Sequence, residues 1–132
     1  MARELKLRIG EEEGILTLYD DKAPVACSKI IESLPLKSHA IIAKVAGLEL
    51  MMRVPFFLDT YPENLVEPQE AGNVCLWDFS QNICIFCEDL PALGPGNLVG
   101  KITGNLAGIR QEALKCKLEE QGAEMELYEV TR

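Results

Sequence analysis

The 132-residue chain is poor in positive charge, in histidine and in tryptophan. Thirteen Lys and Arg face 21 Asp and Glu, leaving a net charge of −8. Phosphate backbones and anionic bilayers are held by a positive field, so neither nucleic acid nor a membrane surface is an expected partner. No apolar run approaches the ~18 residues that a membrane helix needs. The opening Met1-Ala2-Arg3-Glu4-Leu5-Lys6 alternates charged and apolar residues, unlike a signal peptide. There is one histidine, so any histidine acid or base must be His39. Neither a Gly-x-Ser-x-Gly elbow nor a phosphate-cradling glycine loop is present.

The five cysteines, Cys27, Cys75, Cys84, Cys87 and Cys116, are odd in number and sit mostly in apolar stretches. That pattern predicts free, buried thiols and a reducing, cytoplasmic setting. Cys84 and Cys87 form a C-x-x-C spacing. On a strand, residues three apart point to opposite faces, so the pair can neither close a redox disulfide nor chelate one ion. A zinc site would also want more ligands than this stretch offers. No metal or cofactor is implied.

What is present is an ordinary globular composition, 48% hydrophobic and 26% charged, of a length that suits one domain over residues 1–132. Leu5, Leu7 and Ile9 alternate with charged residues and Ile15 to Tyr19 follows a charged turn, which predicts an opening hairpin. Asp20 and Asp21 offer a cap for a helix entered through Pro24. Ala23, Ala26, Cys27, Ile30, Ile31 and Leu34 trace one face of it, and Pro35 ends it. His39–Val45 and Leu48–Val54 form a second hairpin about an Ala46-Gly47 turn. A two-residue loop there pairs Ile41 with Met52 and Lys44 with Glu49. Residues 55–68 hold three prolines and read as a long loop. Asn73–Trp77 and Asn82–Cys87 make a third hairpin, Leu98–Thr103 a strand, Asn105 the cap of a helix to about Gln121, and Glu124–Val130 a last strand.

The order β-β-α-β-β-β-β-β-α-β, with strands apolar on both faces, suits a mainly β fold: a closed eight-stranded barrel with two capping helices. Its interior is expected to hold Ile41, Ala43, Val45, Leu48, Leu50, Met52, Val54, Val74, Leu76, Ile83 and Ile85. Such side chains fill an eight-stranded barrel, so a ligand must bind outside it or in its loops.

Four stretches carry a family resemblance. They are Ile31-Glu32-Ser33-Leu34-Pro35-Leu36; Pro62-Glu63-Asn64 with Gly72-Asn73-Val74-Cys75-Leu76-Trp77; Asn82-Ile83-Cys84-Ile85-Phe86; and Asn97-Leu98-Val99-Gly100-Lys101-Ile102. Together they resemble the small prokaryotic cyclophilin-like proteins, nearly end to end. The resemblance implies a cyclophilin-like barrel and no agreed activity. The Phe-His-Arg run of true prolyl isomerases has Ser38-His39-Ala40 in its place, and Met51-Met52-Arg53 stands where their glutamine-glycine-glycine segment would be.

The outer face of the middle hairpins is the expected site, since in cyclophilins it forms the peptide groove. It collects Ile42, Lys44, Glu49, Met51, Arg53, Cys75, Trp77, Cys84 and Phe86, an apolar floor with a few charges, as ligand sites have. Of these, Glu49, Met51, Arg53, Trp77 and Phe86 are the expected ligand-binding residues. Arg53 could hold a carboxylate in bidentate fashion. Three covers suit such a face: a ligand, the Pro55–Pro68 loop through Phe56, Phe57 or Tyr61, or a second copy of the chain. The expected function is a binding module for a small molecule or peptide, without ordinary prolyl isomerase activity. The alternative is an enzyme, a residual isomerase or other acid–base catalyst, built on His39, Arg53 and a carboxylate such as Glu49. Parity in the two-residue hairpin sets Arg53 opposite Ala40 and turns His39 to the other side, which favours binding.

Overall fold

Alternating apolar residues build the first sheet edge, as the pattern requires. β1 (Glu4–Ile9) and β2 (Glu12–Leu18) form an antiparallel hairpin in which Leu5, Leu7, Ile9, Leu16 and Leu18 are buried. Gly10 turns the chain at φ +56°, where a side chain would be strained. The computed structural model describes residues 3–43, 47–58, 62–77, 81–90 and 94–130. The remaining elements are α1 (Pro24–Glu32), β3 (Leu36–Ile42), β4 (Glu49–Arg53), β5 (Leu65–Val66), β6 (Asn73–Trp77), β7 (Asn82–Phe86), β8 (Gly96–Gly104), α2 (Leu106–Glu119) and β9 (Ala123–Glu129).

The sheet order is β2-β1-β9-β3-β4-β7-β6-β8, and β2 pairs with β8 to close an antiparallel barrel of eight strands. At that seam a Cβ on Gly100 would lie 2.5 Å from the Thr17 carbonyl, so only glycine allows the approach. The ninth strand, β5, is two residues long and extends the edge of β8 beyond β2. It falls within the expected 55–68 loop, where prolines hid so short a pairing.

The third hairpin has the expected parity. Val74, Leu76, Ile83 and Ile85 enter the barrel core, with Leu48, Leu50, Met52 and Val54 from around β4. The second hairpin departs from expectation by one residue. Ile41 pairs with Met51 and Ile42 with Leu50, and the Ala43 N–H donates to the Glu49 carbonyl. Residues alternate faces, so this slip reverses the whole of β3. Ala40 is fully buried, Ile42 packs on the core, and Ile41 points outward at 45% exposure. Ile41 is therefore not a core residue. Val45, Lys44 and Ala46 lie outside the described residues.

The helices are capped differently from expectation. Asp20 is drawn away by Arg3, which donates to it from its guanidinium, so α1 begins at Ala23 with no side-chain cap of its own. Ala23, Ala26, Cys27 and Ile30 pack into the core as their spacing requires. Asn105 does cap α2: its side chain accepts the Gly108 N–H at 3.2 Å. That helix stops at Glu120 in a left-handed conformation, just short of the expected end near Gln121. Ile109 and Ala113 face the core, whereas Leu114 and Leu118 point to solvent.

Candidate functional site

The outer face of the middle strands is built from rows of paired residues. One row runs across five strands: Ile41, Met51, Cys84, Cys75 and Leu98. A second joins Arg53, Asn82 and Trp77, and a third joins Glu49 to Phe86. All five expected site residues, Glu49, Met51, Arg53, Trp77 and Phe86, thus share this face. The face nevertheless has two unlike halves.

The Glu49 half is closed. Glu49 is 6% exposed and Phe86 3%, beside buried Cys75, Cys84 and Leu90. The cover is neither Phe56 nor Phe57. Phe56 packs on the barrel core and Phe57 is 61% exposed, while Tyr61 lies outside the described residues. The lid is instead Leu90 and Gln69, whose backbones pair through the Leu90 N–H to the Gln69 carbonyl at 3.0 Å. The Gln69 side chain accepts from Asn73 Nδ2 at 3.1 Å and from the Cys75 thiol at 3.4 Å, and donates to the Val66 carbonyl at 2.8 Å. No periodicity marks Gln69 between Pro68 and Glu70, so the sequence offered no signal for it.

Burial also sets the protonation of this half. It raises the Glu49 carboxyl above its ordinary value, against a smaller opposing effect from the Cys84 thiol, which donates to it. Burial pushes the Cys75 thiol up to about 12, and raises Cys84 as well, helped by the nearby Glu49 charge. Cys87 packs in the barrel core while Cys84 packs outside it, so the C-x-x-C residues do face opposite ways. Among the described residues, no three His, Cys, Asp or Glu side chains come together as metal ligands would.

The Arg53 half is open. Met51, Trp77, Asn82 and Leu98 are half-buried and Arg53 is exposed. Arg53 makes no ion pair among the described residues. The observed register also puts the exposed His39 on the same outer face as Arg53, not on the opposite side as the two-residue hairpin required. Its ring lies beside Gly122, which precedes β9; an added Cβ there would meet it at 2.7 Å.

The loop feeding this face is held by residues whose role is structural. Both carboxylate oxygens of Glu63 accept N–H groups of α1, from Val25 and Ala26, each at 3.0 Å. Asn64 joins β8: its N–H donates to Asn97 Oδ1 and its Nδ2 to the Leu98 carbonyl, both at 3.0 Å. The Pro62-Glu63-Asn64 motif thus caps a helix and latches a strand.

The family model for DUF3830, proteins of unknown function, matches residues 5–127. The chain belongs to the DUF3830 family. No curated protein matches it. Two of the solved structures that share its fold are informative. In the structure of McbB in complex with tryptophan, the TM-score is 0.82 at 16% identity, over 97% of this chain and 46% of that one. The DUF3830 chain therefore spans about half the length of McbB. The solution structure of the hypothetical protein AF2241 from Archaeoglobus fulgidus gives a TM-score of 0.70 at 23% identity, over 98% and 95% of the two chains. Among the described residues, no helix of this DUF3830 protein is long and apolar enough to cross a membrane.

Proposed function

We propose that the chain is a binding module of the cyclophilin-like kind, without ordinary prolyl isomerase activity. Its ligand is a small carboxylated molecule or an extended peptide, taken on the open half of the outer face. The observation that carries this reading is the half-buried Met51–Trp77 surface beside exposed Arg53. An apolar floor contributes most of the binding, and a guanidinium beside it gives direction by pairing a carboxylate. McbB, whose structure includes this fold, was determined with tryptophan, a carboxylated aromatic molecule. That is the kind of ligand that Arg53 and Trp77, on either side of Asn82, suit. Ala40, standing where isomerases carry arginine, is fully buried. An arginine there would face the core, which supports the absence of isomerase chemistry. Five unpaired thiols support a reducing, cytoplasmic setting.

The test uses Trp77, the only tryptophan. Titration with amino-acid and peptide carboxylates should perturb its emission saturably, and Arg53→Ala should weaken binding. Binders that leave Trp77 unperturbed and tolerate Arg53→Ala would move the site elsewhere. One observation favours a second reading: His39 and Arg53 share the outer face, so the parity argument against an enzyme no longer applies. Peptide isomerisation near the level of a true cyclophilin in a protease-coupled assay, lost in Arg53→Ala, would establish that reading and overturn the first.

A further inference from the structure

The shifted register of the second hairpin creates a cavity that the closed-barrel argument did not anticipate. It lies at the barrel mouth, between the end of β3 and the last turn of α2, with a volume of about 570 Å³. That is within the range of small-molecule sites, and barrel mouths are among the places where such sites form. One wall is apolar, with Ile41, Ile42 and Ala43 from the strand end and Cys116 from the helix, and Gln121 adds a polar side chain. Ile41 is turned out of the core here. The rim carries two opposite charges, Lys117 and Glu120. Their i, i+3 spacing places them side by side at the helix end. Neither enters an ion pair among the described residues. The carbonyl end of α2 adds partial negative charge beside Glu120.

We infer that this cavity binds a free α-amino acid with an apolar side chain. The side chain enters among Ile41, Ile42, Ala43 and Cys116. The carboxylate meets Lys117, and the ammonium meets Glu120 and the helix end. An apolar interior with adjoining charges of both signs matches a zwitterion with an apolar tail, and neither a simple amine nor a simple acid uses both. Although Ile41 adjoins Met51 of the outer face, the lining of this cavity includes neither Arg53 nor Trp77.

The experiment is an amide NMR titration of the whole chain with L-phenylalanine, phenethylamine and 3-phenylpropionate. L-Phenylalanine should shift the amides of Ile41, Ile42 and Ala43 saturably. Each analogue lacks one charge and should bind more weakly, by up to about fivefold for exposed pairs. Lys117→Gln and Glu120→Gln should each erase one of those two preferences. Ile41→Asp, at a position already open to solvent, should abolish binding while the fold is kept. Arg53→Ala should leave the shifts of the Ile41, Ile42 and Ala43 amides unchanged, whatever it does to binding on the outer face. Three results would overturn the inference: no saturable shift up to the solubility of L-phenylalanine, equal binding of all three molecules, or loss of the Ile41, Ile42 and Ala43 amide shifts in Arg53→Ala. The last would place the amino acid on the outer face and support the reading given for that face instead.

Discussion

Replacing Glu63 separates a capping role from a ligand-binding one. α1 begins at Ala23, which has no side-chain oxygen to satisfy the first free N–H groups. Glu63, 38 residues from Val25 in sequence, supplies both acceptors at 3.0 Å. An N-cap contributes ~1 kcal/mol, and a carboxylate at the positive end of a helix adds ~0.3–1 kcal/mol. Glu63→Ala should therefore destabilise by about 1–2 kcal/mol. With an unfolding entropy of ~2.1 cal/mol/K per residue, that is a fall in Tm of about 4–7 °C. Glu63→Gln keeps one acceptor but turns an NH2 toward a backbone donor, so it should recover less than half of the loss. The remaining gap between the parent protein and the Glu63→Gln variant should narrow in high salt, because part of it is charge. Urea and thermal unfolding of the three proteins measure this directly. Exposed Glu11 serves as a control and should change stability by less than ~0.5 kcal/mol on conversion to alanine. If Glu63→Ala behaves like Glu11→Ala, the capping argument is wrong and the motif has to be explained by another role.

Glu49→Gln should stabilise the protein at neutral pH and not in acid. Burial raises the Glu49 carboxyl above its ordinary 4.5, so ionisation penalises the folded state as pH rises through the carboxylate range. Urea midpoints of the two proteins should coincide below about pH 4 and diverge above it; divergence in the opposite sense would refute the assignment. The register of the second hairpin predicts unequal effects for neighbouring residues. Ile42→Asp, beside the core, should unfold the chain or cost several kcal/mol, whereas Ile41→Asp should shift the urea midpoint little. The reverse ranking would restore the two-residue loop. All five thiols are buried. They should resist alkylation in the native protein and react together in urea, as a colorimetric thiol assay would show.

The hydrophobic pattern alone was enough for the fold class and for most of the interior. Alternation places Leu5, Leu7 and Ile9 inward, and the third hairpin keeps its parity whatever the even length of its loop. The four-residue spacing from Ala23 to Ile30 needs one buried face and finds it. Asn105 marked its helix start through its own side chain. The second hairpin could not be read this way. Ile41 and Ile42 are equally apolar, as are Met51 and Met52, so sequence left two registers one residue apart with nothing local to choose between them. The choice is made by β9 and β7, which pair along the outer edges of β3 and β4 and bring Ala40 and Met52 into the core. That choice turns His39 and Ile41 outward and opens the cavity at α2. The cover of the Cys75, Cys84 and Phe86 face was equally beyond local reading. Gln69 and Leu90 lie far apart in sequence from each other, and they meet there through contacts between distant segments. Which apolar residues need burying is a local property of the chain. Which partner buries them is settled by contacts between distant strands, and the site is made of those contacts.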